Sequence, residues 1–169
     1  MKFIGVDPSY NNFAIIILNK DANITNKILL KSNTKDEIED RIIELEKGFN
    51  LLTKVKKPMI YIEGPSYSSS GAFTLQMGAL HYYLRIFFRK NNINFNVISP
   101  TTLKKFVTGK GQAKKELMLL QVYKRFGEEF DDNNLADAYG LARMALEEYN
   151  NVNTQIPKQN SNRTRNKKE

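Results

Sequence analysis

The sequence contains no cysteine and only one histidine among its 169 residues. The absence of cysteine excludes disulfide frameworks, zinc sites built on thiolates, thiol nucleophiles and thiol redox chemistry. A zinc site or a catalytic triad that requires histidine would depend on His81 alone. Because His81 lies in an aromatic run with a helical pattern, we interpret it as a structural residue of a helix.

A long apolar segment is also missing. No run of 18 or more apolar residues occurs, so the sequence predicts no transmembrane helix. Met1-Lys2 leads directly into the strand-like segment Phe3–Val6, which does not have the pattern of a signal peptide. We therefore expect a cytoplasmic protein without a membrane partner.

The composition is typical of one small basic domain. A chain of 169 residues fits a single domain, and 41% hydrophobic residues, with 10 Phe and 8 Tyr, suffice for one core. Lys and Arg number 26 against 18 Asp and Glu, which gives a formal net charge of +8. An excess of this sign favours a polyanionic partner such as nucleic acid.

The positive charge is concentrated in two segments. Seven basic residues stand against Glu116 in residues 100–125, and five stand against Glu169 in residues 151–169. Hydrophobic residues almost vanish after Asn150. We therefore expect a folded domain over residues 1–149 and a basic, disordered tail over residues 150–169.

The first half of the chain predicts three strands and a helix. Short β-rich segments, separated by turn-forming residues, cover Phe3–Val6, Phe13–Leu18 and Ile24–Leu30. Thr34-Lys35-Asp36-Glu37 has the form of a capping box. Apolar residues then follow at spacings of three and four from Ile38 to Leu52, which predicts an amphipathic helix.

The second half alternates strands and helices. The pattern predicts strands at Met59–Glu63 and Phe95–Ile98, and helices at Ala72–Lys90, from Ser99-Pro100 through Val107, at Ala113–Phe126 and at Asn134–Tyr149. This order predicts an α/β fold whose mixed five-stranded sheet has three antiparallel and then two parallel strands, with helices on both faces.

Two acidic residues stand where apolar strands end. Asp7 closes the first strand before Pro8, and Glu63 closes the fourth before Gly64-Pro65. If these strands are parallel and adjacent, both carboxylates lie at one end of the sheet. An Asp before Pro is also an ordinary turn former, so Asp7 alone has a structural alternative.

Asp137 is the third acid of interest. Its small neighbours Ala136 and Ala138 allow a helix to approach a sheet closely, although an Asp near a helix N-terminus can also serve only the helix dipole. Clustered carboxylates repel one another unless a cation neutralises them. Three acids without cysteine favour Mg²⁺ or Mn²⁺ over zinc.

Together these motifs resemble the RuvC-type Holliday junction resolvases, most closely their phage-encoded branch. The resemblance covers residues 1–149 and is carried by four stretches: Ile4-Gly5-Val6-Asp7-Pro8-Ser9, Ile60-Tyr61-Ile62-Glu63, Ser99-Pro100 through Lys115 with the loop Gly109-Lys110-Gly111-Gln112, and Ala136-Asp137-Ala138. It implies an RNase H-like fold and a homodimeric endonuclease that cuts two opposed strands of a four-way junction. A phage-encoded protein would act in the cytoplasm of its bacterial host.

The resemblance also implies a set of metal ligands. Asp7, Glu63 and Asp137 match the family's metal-binding carboxylates. The family commonly has a further acid three residues before the last one, where this chain has Asn134, so either Asn134 or Asp132 is expected to be the fourth ligand. The mechanism implied uses two divalent ions, one helping to ionise the attacking water and one stabilising the leaving 3′-oxygen.

DNA-binding residues are implied in the same way. Lys104 and Lys115 match lysines near the cleaved backbone, and their alternative is an ordinary solvated role. Tyr67, or behind it Phe73, matches the aromatic residue that probes the junction centre. The other basic residues expected to contact DNA are Lys105, Lys110 and Lys114.

Two other functions remain open at the level of sequence. One is a broader nuclease that acts on three-way junctions, flaps and forks. The other is a junction-binding module without catalysis, whose decayed site would be marked by Asn134. The apolar helix Ala72–Lys90 is either the homodimer interface or part of the monomer core.

Overall fold

The computed structural model describes residues 1–65 and 71–154. Its sheet has the strand order β3-β2-β1-β4-β5. The strands are β1 (Lys2–Asp7), β2 (Phe13–Leu18), β3 (Ile24–Leu30), β4 (Pro58–Glu63) and β5 (Phe95–Ile98). The β1–β2 and β2–β3 pairs are antiparallel, whereas β1–β4 and β4–β5 are parallel. The predicted mixed sheet is therefore confirmed.

Helices cover both faces of this sheet. They are α1 (Ile38–Thr53), α2 (Ala72–Lys90), α3 (Pro100–Thr108), α4 (Lys115–Phe126) and α5 (Asn133–Thr154). One apolar cluster joins Ile4 and Val6 of β1 to residues of α1 and α2, and a second joins Phe3 to residues of α3, α4 and α5. The two clusters form because side chains alternate between the faces of a strand.

Several helix ends differ from the predictions. The expected capping box at residues 34–37 is wrong: α1 begins at Ile38, and Glu37 before it makes no side-chain cap hydrogen bond. Asn33 organises this turn instead, because its side chain accepts from the Lys35 N–H at 3.1 Å and donates to Asp36 at 2.8 Å. The Ser99 cap of α3 is confirmed, since its hydroxyl oxygen accepts from the Thr102 N–H at 3.1 Å.

The bounds of α4 and α5 differ from those that the sequence predicts. α4 begins at Lys115 rather than at residue 113, because residues 110–113 form a turn in which the Ala113 N–H donates to the Lys110 carbonyl at 3.2 Å. α5 continues to Thr154, beyond the predicted end at Tyr149. The rest of the expected tail, residues 155–169, lies outside the described residues.

Helix α5 lies directly on β1 because Gly5 has no side chain. A Cβ atom at Gly5 would lie 1.8 Å from the Ala138 carbonyl oxygen and 2.7 Å from the Ala142 nitrogen. Ala138 and Ala142 are fully buried at this contact. The close approach places Asp137, the neighbour of Ala138, above the end of β1.

We expect Gly5→Ala to lower the free energy of unfolding by about 2 kcal/mol or more, since an added methyl group would meet helix backbone rather than a flexible side chain. Urea denaturation measures this change. Lys47→Ala is the control, because it shortens an exposed side chain on α1, away from the contact of β1 with α5. It should change the free energy of unfolding by no more than about 0.5 kcal/mol. Equal stability of Gly5→Ala and wild type would contradict the close packing.

Candidate active site

Asp7 and Glu63 lie side by side at the carboxyl ends of adjacent parallel strands. The register pairs Gly5 with Tyr61 and Val6 with Ile62, so Asp7 and Glu63 occupy the next position on each strand. Because side chains alternate, Asp7 shares a face with Gly5, which is the face covered by α5. The prediction that both acids lie at one end of the sheet is confirmed.

Asp137 of α5 completes an acidic cluster with these two residues. One carboxylate oxygen from each of Asp7, Glu63 and Asp137 lies within 4.8 Å of the others. Asp7 is buried, whereas Glu63 and Asp137 are partly exposed. The cluster opens into a cavity of about 360 Å³ bounded by the ends of β1 and β4 and by α2, α3, α4 and α5.

Burial and mutual repulsion disfavour ionisation of the cluster. Burial is the largest cause that raises the pKa of Asp7 well above its usual range, followed by the charges of Glu63 and Asp137. Burial also raises the pKa of Glu63. It raises the pKa of Asp137 to about 7, with a further contribution from the Glu63 charge. A bound cation would remove this penalty by neutralising the carboxylates.

Lys104 and Lys115 line the same cavity. Lys104 lies on α3 and Lys115 is the first residue of α4. Their charges lower the pKa values of Glu63 and Asp137, but less than burial raises them. The structure therefore brings both predicted lysines to the acidic cluster, where they add positive charge at its rim.

The two residues expected to compete for a fourth ligand position have different roles. Asp132 caps α5: its Oδ1 accepts from the N–H groups of Asn134 at 2.9 Å and Leu135 at 3.2 Å, and its Oδ2 accepts from Asn12 at 3.1 Å. Asp132 does not line the cavity, whereas Asn134 does. Asn133 lines it as well, and its buried Oδ1 accepts no hydrogen bond within the described part of the chain.

His81 is a cavity residue that sequence reasoning placed only in a helix. It lies on α2, is 3% exposed and lines the acidic cavity. Burial, followed by the charge of Arg85, lowers the pKa of His81 to about 4, so the imidazole is neutral at physiological pH. No local sequence signal indicates this position, because it depends on how α2 packs against the sheet.

Four other predicted DNA-binding residues, Lys105, Lys110, Lys114 and Phe73, do not line the cavity. Lys105 is exposed on α3, and Lys110 and Lys114 are exposed in the segment that joins α3 to α4. Phe73 is 56% exposed in the first turn of α2. Tyr67 falls outside the described residues. DNA contacts by these residues stay predictions.

The donor set fits a hard divalent cation. Three carboxylates can each offer an oxygen to one ion, and the Asn133 and Asn134 amides add neutral oxygens nearby. Mg²⁺ and Mn²⁺ bind such oxygen ligands, whereas zinc prefers cysteine and histidine. Within residues 1–65 and 71–154, no helix combines the length and apolarity needed to cross a membrane.

Comparisons with known proteins show relatives along most of this chain. The crossover junction endodeoxyribonuclease RuvC of Rickettsia typhi is 26% identical over 152 residues, which cover 86% of this chain and 97% of the relative. RuvC of Campylobacter jejuni is 29% identical over 150 residues, which cover 84% of this chain and 93% of that relative. No protein-family model matches the chain. The resemblance read from the motifs is confirmed, while the phage-encoded branch stays a prediction.

Solved structures of resolvases share the fold. Thermus thermophilus RuvC in complex with a Holliday junction substrate matches with a TM-score of 0.75 at 17% identity, over 91% of this chain and 97% of that chain. The Fowlpox virus resolvase in a complex with Holliday junction DNA matches with a TM-score of 0.57 at 18% identity, over 88% of this chain and 99% of that chain. The RNase H-like fold is therefore confirmed.

We expect Asp137→Asn to stabilise the metal-free protein more at pH 8 than at pH 5. The pKa of Asp137 rises from 3.8 to about 7 on folding, so the folded state binds this proton more tightly. Tighter proton binding by the folded state adds to the free energy of unfolding. This addition is present in full below about pH 4 and is lost as the pH rises through about 7. Asparagine cannot ionise, so the gain at pH 8 should be about 1–3 kcal/mol.

Urea denaturation in EDTA at both pH values measures this difference. The matched control is Asp131→Asn, which removes an exposed carboxylate outside the cavity. It should change stability little and equally at both pH values. If Asp137→Asn changed the free energy of unfolding equally at pH 5 and pH 8, the ionisation of Asp137 would not be the source of the penalty.

Proposed function

We propose that this chain, whose resemblance to the RuvC-type resolvases is confirmed, is a metal-dependent endodeoxyribonuclease that resolves four-way DNA junctions by paired, symmetric nicks. The observation that carries the proposal is the cluster of Asp7, Glu63 and Asp137, whose oxygens lie within 4.8 Å of one another. Relatives named as crossover junction endodeoxyribonucleases match almost their full length, which supports the same reaction here.

We further infer that Mg²⁺ is the cofactor, with Mn²⁺ as a substitute and two ions in each site. Asp7, Glu63 and Asp137 would hold them, with Asn134 as the further ligand in place of Asp132. Asp132 is less suited because both of its oxygens already accept hydrogen bonds. When bound, divalent cations of this kind supply an ionised water and neutralise charge on a phosphate.

The protein's own groups bind and orient the DNA strand in this proposal. Lys104 and Lys115 are positioned beside the acidic cluster, where an ammonium group can neutralise charge on a phosphate. The exposed lysines between α3 and α4 extend this positive surface along the backbone. A protein nucleophile is not required, because the attacking group is water.

A homodimer supplies the two active sites that paired nicks require. The exposed face of α2 carries Leu75, Tyr82 and Ile86, which are 77%, 63% and 51% exposed. Their spacings of seven and four residues place them on one side of the helix. A large exposed apolar patch of this kind is typical of an interface, so we propose α2 as the contact between two copies.

Of the other two functions, the module without catalysis fits the site less well. Burial and like charges disfavour ionisation of the three carboxylates in the absence of a cation. A protein that only binds junctions does not require such a cluster. A broader nuclease would share the same chemistry and differ only in the DNA structures that it accepts. The cleavage experiment distinguishes all three.

We expect wild-type protein to nick a labelled four-way junction symmetrically in Mg²⁺ or Mn²⁺ and not in EDTA. Asp7→Asn should reduce cleavage at least about 100-fold because a ligand of the cation is lost, while junction binding is retained. Gel assays with four-way, three-way and linear duplexes measure both properties. Asp21→Asn, an exposed substitution in the β2–β3 turn, is the control and should cut normally.

The outcomes separate the alternatives. Equal cutting of three-way and four-way junctions would support the broader nuclease. Binding without cutting in either metal would contradict the enzymatic proposal. Loss of both binding and cleavage in Asp7→Asn would show that Asp7 has a structural role instead.

We expect Leu75→Glu to convert the protein to a monomer, because a charge would be buried within the proposed α2 interface. Sedimentation equilibrium measures the mass. Ile43→Glu is a matched control, since Ile43 is 63% exposed on α1, outside the proposed interface. That variant should remain a dimer. A monomeric wild type, or a dimeric Leu75→Glu variant, would contradict this interface.

A further inference from the structure

Arg85 on α2 is a cation without a carboxylate partner among residues 1–65 and 71–154. Its Nε atom is buried and donates no hydrogen bond, and no carboxylate forms an ion pair with it in the described part of the chain. The Arg85 guanidinium makes a cation–π contact with Tyr82, in which the guanidinium carbon lies 5.3 Å from the ring centroid. A buried donor without an acceptor is costly, so this position needs an explanation.

The Arg85 side chain lines a cavity outside the ends of β4 and β5. This cavity has a volume of about 360 Å³ and is lined also by Gly64, Pro65, Val97, Ser99, Pro100 and Thr101. Gly64 and Pro100 line the acidic cavity as well, so the two cavities share a wall. A strand bound over Asp7, Glu63 and Asp137 would therefore pass directly by Arg85.

The other groups around this cavity are suited to an anion. Thr101 lies in the first turn of α3, and its N–H donates to no other described residue. Ser99 and Thr101 both line this cavity, although the Ser99 hydroxyl also caps α3 through Thr102. A guanidinium group supplies a planar set of donors that matches phosphate oxygens, and it carries its charge at every physiological pH.

We propose that Arg85 binds a backbone phosphate of the DNA strand that enters the active site, next to the phosphate that is cut. This inference rests on the proposed function and assigns one more contact to the same substrate. The bound phosphate accepts hydrogen bonds from the guanidinium group of Arg85, which lines the cavity. Arg85 thus adds a positive group to those that Lys104 and Lys115 provide at the adjoining acidic cavity.

Arg89, one turn later on the same helix, provides a matched comparison. Its guanidinium carbon lies 5.3 Å from the Phe95 ring centroid, so it also stacks on an aromatic side chain. However, Arg89 is exposed and lines neither cavity. The Arg89→Ala substitution removes one positive charge from α2, as Arg85→Ala does, but leaves the residues around the proposed phosphate position unchanged.

The test measures binding of wild type, Arg85→Ala, Arg85→Lys and Arg89→Ala to a labelled four-way junction in EDTA at several salt concentrations. Arg85→Ala should weaken the affinity about tenfold or more and reduce the salt slope by about one. Arg85→Lys should recover part of the affinity, since it keeps the charge without the planar donors. Arg89→Ala should bind nearly as wild type does.

A second measurement locates the contact. Neutral methylphosphonate groups are placed one at a time at the phosphates beside the cleaved one. One such position should weaken wild type and leave Arg85→Ala unchanged, because that variant has already lost the contact. Melting temperature and sedimentation equilibrium show whether each variant keeps its fold and its oligomeric state.

The results distinguish this inference from the proposed function. Equal affinity of Arg85→Ala and Arg89→Ala, with wild type still cutting junctions, overturns the phosphate contact alone. An affinity loss that accompanies unfolding or a changed oligomeric state, without any methylphosphonate position specific to Arg85, also overturns it. A wild type that neither binds nor cuts junctions overturns the proposed function itself.

Discussion

The candidate site depends on the contact between the backbone of α5 and the backbone of β1. Gly5 permits this contact, since a Cβ atom there would lie 1.8 Å from the Ala138 carbonyl oxygen. Parallel pairing of β1 with β4 alone would bring together two carboxylates. The third, Asp137, reaches them only because the helix lies so close to the strand. The missing side chain of Gly5 therefore allows three acids, rather than two, to form the candidate cation site.

The acidic cluster is costly to the metal-free protein. Burial and like charge raise the pKa of Asp7, and burial is again the largest cause for Asp137. Lys104 and Lys115 reduce this penalty without removing it. Strain of this kind is tolerated where the surrounding fold is stable and a ligand relieves it. Here the fully buried apolar residues on both sides of the sheet supply that stability.

The end of the sheet brings groups of opposite charge to neighbouring positions. The carboxyl ends of β1 and β4 present the acids, and the chain then turns at Gly64 and Pro65 towards the cavity that contains Arg85. Helix α3 begins directly after β5 and contributes its first turn to the same region. Ligands commonly bind outside the carboxyl ends of parallel strands, where helix N-termini also meet. The fold thus places the candidate cation site beside the cavity that we propose for a backbone phosphate.

Local patterns in the sequence determined the strands, most of the helices and the position of two acids at strand ends. These features depend on side-chain alternation, helical spacing and turn chemistry, which neighbouring residues decide. Tertiary structure decided the rest. Asp132 became a helix cap while Asn134 entered the cavity, and the orientation of α2 placed His81 and Arg85 beside the site. Such contacts depend on strand register and on the distance between packed elements, which join residues far apart in the chain.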